Sequence, residues 1–323
     1  MCTALSVNAD NHYFGRTLDW IYSYSEKIVV IPRNFLFSLR HAGHLSRHYA
    51  IIGSAVVQAG VPLLFDAANE KGLAGAGLNF PKNAFYNELA DGKSNIASFE
   101  VIPWVLGQCA SVKEAKILLE KSNITNTSFN EDYPASPLHW IFSDKDSSIT
   151  VEQTESGLQI YDNPFGVLTN NPPFSYHIHN IANYMSLTKG EPENNFSEKF
   201  NLTPYSFGMG AFGLPGDFSS ASRFVRAAFL KENSHFTGNE EKDVSQVFHI
   251  MASVEQPRGC SQMNKESEYT IYTACINTDK GIYYHKTYYC DEIYAVDMNK
   301  CDLDGNTLSV FPFVNESKIS YQN

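Results

Sequence analysis

No run of about twenty apolar residues occurs in this 323-residue chain, so the sequence offers no membrane-crossing helix. Its first residues, MCTALSVNADNHYFGR, lack both a basic stretch and a long apolar stretch. No secretory signal is therefore expected, and residence in the cytoplasm is the expectation. Positive charge is scarce: 24 Lys and Arg stand against 35 Asp and Glu, a net charge of −11. That deficit speaks against nucleic acid as a partner, because phosphate binding needs a basic face. An anionic ligand would need its own local Arg or Lys. No Cys-x-x-Cys pair occurs, no H-E-x-x-H and no G-x-S-x-G elbow, so a redox motif, a zincin and an α/β-hydrolase lack their anchors. Internal repeats and low-complexity linkers are absent too.

What is present is an ordinary globular composition, 43% hydrophobic and 18% charged, with 22 Phe and 18 Tyr. The aromatics are numerous enough to supply a core and still line a pocket. The six cysteines are Cys2, Cys109, Cys260, Cys275, Cys290 and Cys301. A chain this long needs no covalent staples, and without an export signal reduced thiols are expected. Gly72-x-x-Gly-x-Gly matches no dinucleotide fingerprint in spacing or context. His177 and His179 lack a third ligand at motif spacing, which favours a surface pair over a metal site.

Hydrophobic periodicity predicts strands at Cys2–Val7, His12–Asp19 and Lys27–Pro32, with Asn8–Asn11 as a hairpin turn. Tyr49–Val57 and the glycine-rich Gly72–Phe80 read as further strands. Helices are expected at Ala97–Cys109 and from Ser111, where Glu114 completes a capping box. Asn123–Pro137 reads as a loop. Strands return at Leu138–Ser143, Ile149–Gln153 and Leu158–Tyr161. Pro173–Leu187 looks partly helical and Lys189–Asn201 loop-like. Helices at Ser222–Leu230 and Asp243–Val254 precede strands at Tyr269–Asn277, Gly281–Tyr288 and Ile293–Asp297. This order points to an α+β protein with layered sheets, taken as one domain over residues 1–323.

The N-terminus concentrates the chemistry. Removal of Met1 would leave Cys2 with a thiol and a free α-amine, whose reference pKa of about 7.7–8.0 suits a general base. The amine can take the thiol proton without a separate His, as in N-terminal Thr enzymes. In a hairpin that starts at Cys2, Arg16 and Asp19 return toward it. A cation beside a thiol lowers its pKa, and an acid beside an ammonium holds it. A plain surface Arg–Asp pair is the competing reading.

MCT at the start, FGRTLDW, GLAGAGLNFP, LTNNPPF and GLPGDFSSASRF, in this order, resemble the choloylglycine hydrolase family. WIFSD, VEQT, GIYYHKTYY and AVDMNK extend the resemblance over essentially the whole chain. The resemblance implies an N-terminal nucleophile hydrolase: a four-layer αββα sandwich with Cys2 on an inner strand and Met1 removed. It implies Cys2 as nucleophile and its amine as base, with Arg16 and Asp19 positioning and activating it. It implies the backbone N–H of Asn79 and the side-chain amide of Asn170 as oxyanion donors, and Arg223 as an active-site arginine. No metal or organic cofactor is implied, and a homotetramer is.

The residues themselves leave ordinary alternatives. Asn79, Asn170 and the adjacent Asn171 suit turns in which each Asn bonds its own backbone. Arg223 falls in the first turn of a predicted helix after Ser219, Ser220 and Ser222, where a cation opposes the helix dipole. A tertiary partner such as a carboxylate is expected. Within the family, penicillin V acylases usually carry Tyr where this chain has Asn79, so the resemblance favours conjugated bile salts such as taurocholate and glycocholate. Their rigid apolar body needs an apolar, partly open pocket, and Trp20, Tyr22, Tyr24, Phe65, Phe129 and Tyr133, read as loop residues, are the candidate walls. The alternatives are another N-acyl amidase of the family and a non-catalytic bile-acid carrier.

Overall fold

Apolar and polar residues are mixed in the first twenty positions, and in the computed structural model, which describes residues 1–323, they form a hairpin buried on both faces. In chain order the strands are β1 (Cys2–Asn8), β2 (His12–Trp20), β3 (Lys27–Ile31), β4 (Phe37–Leu39) and β5 (Gly43–Leu45). Next come β6 (Ile51–Gln58), β7 (Val61–Asn69), β8 (Ala74–Asn79) and β9 (Ser94–Ala97). Helices α1 (Val101–Gln108) and α2 (Val112–Glu120) precede β10 (Ser122–Thr125), β11 (Leu138–Ser143), β12 (Ser148–Thr154), β13 (Gly157–Asp162) and β14 (Val167–Leu168). Helices α3 (Phe174–Asn180), α4 (Ser220–Asn233) and α5 (Glu240–Ala252) follow. The chain closes with β15 (Ser261–Met263), β16 (Glu266–Asn277), β17 (Ile282–Thr287), β18 (Cys290–Asp297) and β19 (Ser309–Pro312).

Two large antiparallel sheets result. One runs β14-β1-β2-β16-β17-β18, with β15 beside β16; the other runs β13-β12-β11-β8-β7-β6-β3-β19. Side-chain alternation sorts residues into layers. Ile28 and Val30 of β3 join β1, β2 and β16 in the core between the sheets. Val29 and Ile31 face the other way and pack with Val105 and Leu106 of α1 and Leu119 of α2. On the far side Leu5 meets the face of Gly15, against which Val247 and Met251 of α5 also pack. The layers are therefore helix, sheet, sheet, helix, the sandwich that the resemblance implied. Burial on both faces explains why the strands near the site read as apolar runs rather than alternations.

Local details refine the sequence reading. Ser111 caps α2 by accepting the Glu114 N–H at 3.3 Å, but the Glu114 carboxylate takes the N–H of Ala110 at 2.7 Å, one residue before the reciprocal box position. The expected loop at Asn123–Pro137 begins instead inside β10, which pairs parallel with β9. β7 and β19 were not expected at all: a charged Asp66 in mid-strand masks β7, and β19 has only four residues. The glycines of β8 permit close layering, since a Cβ on Gly75 would lie 2.4 Å from the Phe142 ring.

Candidate active site

The register of the first hairpin sets Cys2 opposite Leu18 and Ala4 opposite Arg16. With period-two alternation, Cys2, Arg16 and Leu18 point between the sheets, while Thr3, Thr17 and Asp19 point toward the helix layer. Cys2 is buried, and its Sγ lies 3.5 Å from Arg16 Nη2. The same nitrogen donates to the Gly77 carbonyl at 3.2 Å, and Nη1 reaches Asp66 at 3.1 Å and the Tyr272 hydroxyl at 3.4 Å. Burial opposes the Arg16 charge, but Tyr272, Cys2 and Asp66 around it outweigh that, and its pKa lies above the usual guanidinium value. Burial meanwhile pushes the Cys109 thiol up to about 12 and raises that of Cys275. Those two thiols are inert packing groups, whereas Cys2 has a fixed cation beside it.

Arg16 and Asp19 are both buried and do not pair with each other, because a separation of three residues on a strand places them on opposite faces. Asp19 accepts from Thr270 at 2.6 Å and from Thr17 at 3.3 Å. Burial raises its pKa, with the N-terminal ammonium and Arg223 pulling the other way. Met1 stands directly before the thiol: its ammonium donates to the Asp19 carbonyl at 2.9 Å and is paired with the Glu268 carboxylate. Burial lowers the pKa of this ammonium.

Behind Cys2 sits a second set. The Cys2 N–H donates to Asn170 Oδ1 at 2.8 Å, and Asn170 Nδ2 donates to the Asn79 carbonyl at 2.7 Å, leaving its second proton uncommitted. Arg223 donates to the Cys2 carbonyl, to Thr3 Oγ1 and to Asn170 Oδ1 at 2.5, 2.7 and 2.8 Å. Its partners are neutral oxygens, so the expected carboxylate partner is not the one found. Arg223 lies in the first turn of α4, whose N-cap is Ser219, and burial lowers its pKa. The Asn170 backbone is fixed at both ends: Ser220 Oγ takes its N–H at 2.8 Å, and His177 Nε2 donates to its carbonyl at 3.1 Å. His177 is thus a buried residue stacked on Phe224, not half of a surface pair; burial lowers its pKa to about 4. Asn171 turns away and donates to the Pro81 carbonyl.

Asn79 ends β8. Leu138 opposite gives its N–H to the Tyr86 hydroxyl, and the Asn79 carbonyl takes Asn170, so this is a non-hydrogen-bonded pair. The Asn79 N–H therefore points to the β7 side, where β7 pairing has already ended at Asp66↔Ala76. It faces the cavity that Asn79 lines.

That cavity, about 420 Å³, opens over Cys2, Arg16, Asp19 and Asn79, with Trp20, Tyr24, Phe65, Phe129 and Tyr133 among its mostly apolar walls. Trp20 and Phe65 stand on strands rather than loops, the latter because β7 went unread. Tyr22 does not line the cavity; it is half exposed and packs edge-on between Trp20 and Tyr24. Arg223 supports Cys2 from behind; Asn170 is not one of the cavity walls, but its Nδ2 reaches the carbonyl of Asn79 at the cavity's edge. The sequence reading missed Leu63, Leu64, Phe99 and Met263 in the walls, Glu268 at the N-terminus, and Asp66 behind Arg16. Only Asp66, a lone charge within Leu-Leu-Phe-Asp-Ala-Ala, left a readable signal. A larger groove of about 810 Å³, lined by Ser6, Lys113, Lys116 and Asp162, is polar and does not include Cys2. A thiol beside a fixed cation, with N–H donors around it at the floor of an apolar cavity, is an arrangement for acyl transfer.

Known proteins share this arrangement of chain. The sequence pattern of linear amide C–N hydrolases, choloylglycine hydrolase family, matches residues 2–311. A bile salt hydrolase/transferase of Lactiplantibacillus plantarum is 48% identical over 98% of this chain and 98% of its own. The crystal structure of a mutant conjugated bile acid hydrolase from Clostridium perfringens is similar with a TM-score of 0.90, 38% identity and 100% coverage of both chains. A penicillin V acylase from Agrobacterium tumefaciens shares the fold, with a TM-score of 0.77 at 21% identity over 96% of this chain and 90% of its own.

Proposed function

From the premise that this chain belongs to the choloylglycine hydrolase family of linear amide C–N hydrolases, we propose that it hydrolyses glycine- and taurine-conjugated bile salts with Cys2 as nucleophile. The observation that carries the reading is the position of Cys2 Sγ, 3.5 Å from Arg16 on the floor of an apolar cavity. A steroid is rigid and apolar, and walls of Trp20, Tyr24, Phe65, Phe129 and Tyr133 suit it. The named activities of the relatives support the same substrate class.

Catalysis starts when Met1 is removed and the Cys2 nitrogen, already bonded to Asn170 Oδ1, becomes an amine. The amine takes the thiol proton, and the thiolate adds to the amide carbonyl carbon. The Asn79 N–H and the free proton of the Asn170 amide hold the oxyanion, a contribution of roughly 2.7–4 kcal/mol for each fixed donor. The α-ammonium passes its proton to the leaving nitrogen, the C–N bond breaks, and glycine or taurine departs. Water, deprotonated by the amine, then cleaves the Cys2 thioester and releases the bile acid. Arg16 stabilises the thiolate, Asp19 balances the N-terminal ammonium, and Arg223 fixes the Cys2 backbone. Residues 1–323 act as one domain.

The working form is a homo-oligomer, a tetramer, in the cytoplasm. Self-association is supported by Met185, Tyr205, Phe207 and Phe212, which are 88%, 82%, 100% and 81% exposed along one segment. Light scattering of the purified protein and cell fractionation check these two points.

The deciding experiment is release of taurine and glycine from taurocholate and glycocholate by the wild type and by Cys2→Ala, with intact mass confirming loss of Met1. Release by the wild type alone is expected. A processed wild type that spares both bile salts overturns the substrate assignment, and cleavage of penicillin V in that case identifies another acyl amidase.

A further inference from the structure

Arg16 enters the core between the sheets, where a lone cation is strongly disfavoured. Its compensating carboxylate is Asp66 on β7, in the opposite sheet and itself fully buried. The Asp66 carboxylate is saturated. Oδ2 accepts from Arg16 at 3.1 Å, Ser54 of β6 at 2.6 Å and Tyr272 of β16 at 2.5 Å. Oδ1 accepts from Tyr283 of β17 at 2.8 Å. Ser54 Oγ and Tyr272 Oη lie 2.6 Å apart, and Phe313 stacks on the Tyr272 ring. Burial, reinforced by the Asp66 charge, raises both phenols well above the usual tyrosine range, so they remain proton donors. The carboxylate is held by four side chains from two sheets and cannot swing toward the cavity, which it does not line.

One guanidinium is thereby divided between two partners. Nη1 serves Asp66, while Nη2 serves Cys2 Sγ and the Gly77 carbonyl. A guanidinium with no carboxylate behind it would commit its charge to the thiolate, giving a stable ion pair and a poorer nucleophile.

We propose that Asp66 is a positioning residue for the reaction: it anchors Arg16 across the sheets and fixes the share of positive charge delivered to Cys2. This rests on Cys2 being the nucleophile. The other titratable groups near the thiol are the N-terminal amine, Asp19 of β2 and Arg223 of α4 on the helix side, and Tyr24 beside the cavity. None of them touches Asp66, so its effect travels through Arg16.

The test is the pH midpoint of Cys2 alkylation by iodoacetamide, with kcat and KM for taurocholate, in processed wild type, Asp66→Asn and Tyr283→Phe. Alkylation reads the thiol whatever the natural amide is, so failure of the substrate assignment stays distinguishable. Asn keeps the shape of Asp66 and removes its charge. Its alkylation midpoint is expected to fall by about one pH unit. Its kcat is expected to fall by roughly threefold or more with KM little changed. Phe at position 283 removes one donor from Asp66, strengthens the pull of that carboxylate on Arg16, and shifts the midpoint upward by a smaller amount. Shifts of opposite sign are what a merely structural role would not produce. A folded Asp66→Asn with the wild-type midpoint and kcat overturns the proposal. If Asp66→Asn does not fold, an unmoved or lowered midpoint in Tyr283→Phe overturns it.

Discussion

Arg223 donates to the carbonyl of Cys2 across 221 positions of sequence, at 2.5 Å, and with its other arm grips the Asn170 oxygen that receives the Cys2 N–H. The helix layer thus fixes the backbone of the residue whose side chain works on the other face of the sheet. Three directed hydrogen bonds to neutral oxygens need a planar fork, which an ammonium cannot reproduce. Arg223→Lys is expected to fold with a lower Tm and to lose about 100-fold in kcat/KM, since a misplaced reacting group can cost that much. Thermal melts beside initial rates on taurocholate check this; wild-type rates would detach Arg223 from the site.

Adjacent asparagines should behave differently. Asn170 holds Cys2, Asn79 and Arg223 together, whereas Asn171 meets only the Pro81 carbonyl near the surface. Asn170→Ala should lower kcat by about 100- to 1,000-fold, the range for loss of an oxyanion donor. Asn171→Ala should stay within about threefold, as surface changes usually do. Steady-state kinetics of the two variants side by side decide it.

The apolar wall should affect KM more than kcat. Arg40 donates to the Phe129 carbonyl at 2.5 Å and lies 5.2 Å from its ring centroid, so the Phe129 loop is preset. Truncation in Phe129→Ala removes apolar contact worth about 1.5–3 kcal/mol, and KM for a bile salt should rise by at least tenfold with kcat nearly unchanged. Tyr22→Ala, outside the cavity, should move KM less. Equal effects of the two would place the steroid elsewhere.

Acid should destabilise the protein through buried histidines. His12, His177 and His285 are each lowered by burial from 6.5 to about 4. Between those values the unfolded chain binds protons that the folded one refuses. Stability is therefore complete above about pH 6.5 and declines as pH falls toward 4, by up to about 3 kcal/mol for each histidine. His285 offers the clean test, because neither ring nitrogen has a hydrogen-bond partner. His285→Phe should flatten the fall in urea midpoint between pH 7 and 4. An unchanged slope would remove His285 from the account.

Much of the architecture was legible because hydrophobic periodicity reports burial directly. The hairpin at Cys2–Trp20 and the helices α1, α2, α4 and α5 fell near their expected places, with α4 beginning two residues early at Ser220. β7 was illegible because Asp66 interrupts its apolar run, and the pattern alone cannot distinguish a buried charge with partners from a solvent-facing one. The partners on β2, β6, β16 and β17 lie between 12 and 217 residues away.

By itself the sequence determined which residues carry chemistry: a cysteine that N-terminal processing can expose, an arginine one hairpin away, and aromatics enough for a pocket. Those are local properties of side-chain type and strand period. Tertiary structure alone decided that Arg16 faces the thiol while Asp19 faces away, that Asn170 rather than Asn171 turns inward, and that Tyr22 stands outside the cavity. It alone supplied Asp66 across the sheet. The reason is physical: a charge is tolerable in that interior only when a distant strand delivers its partner, and sequence order does not record which strands stack.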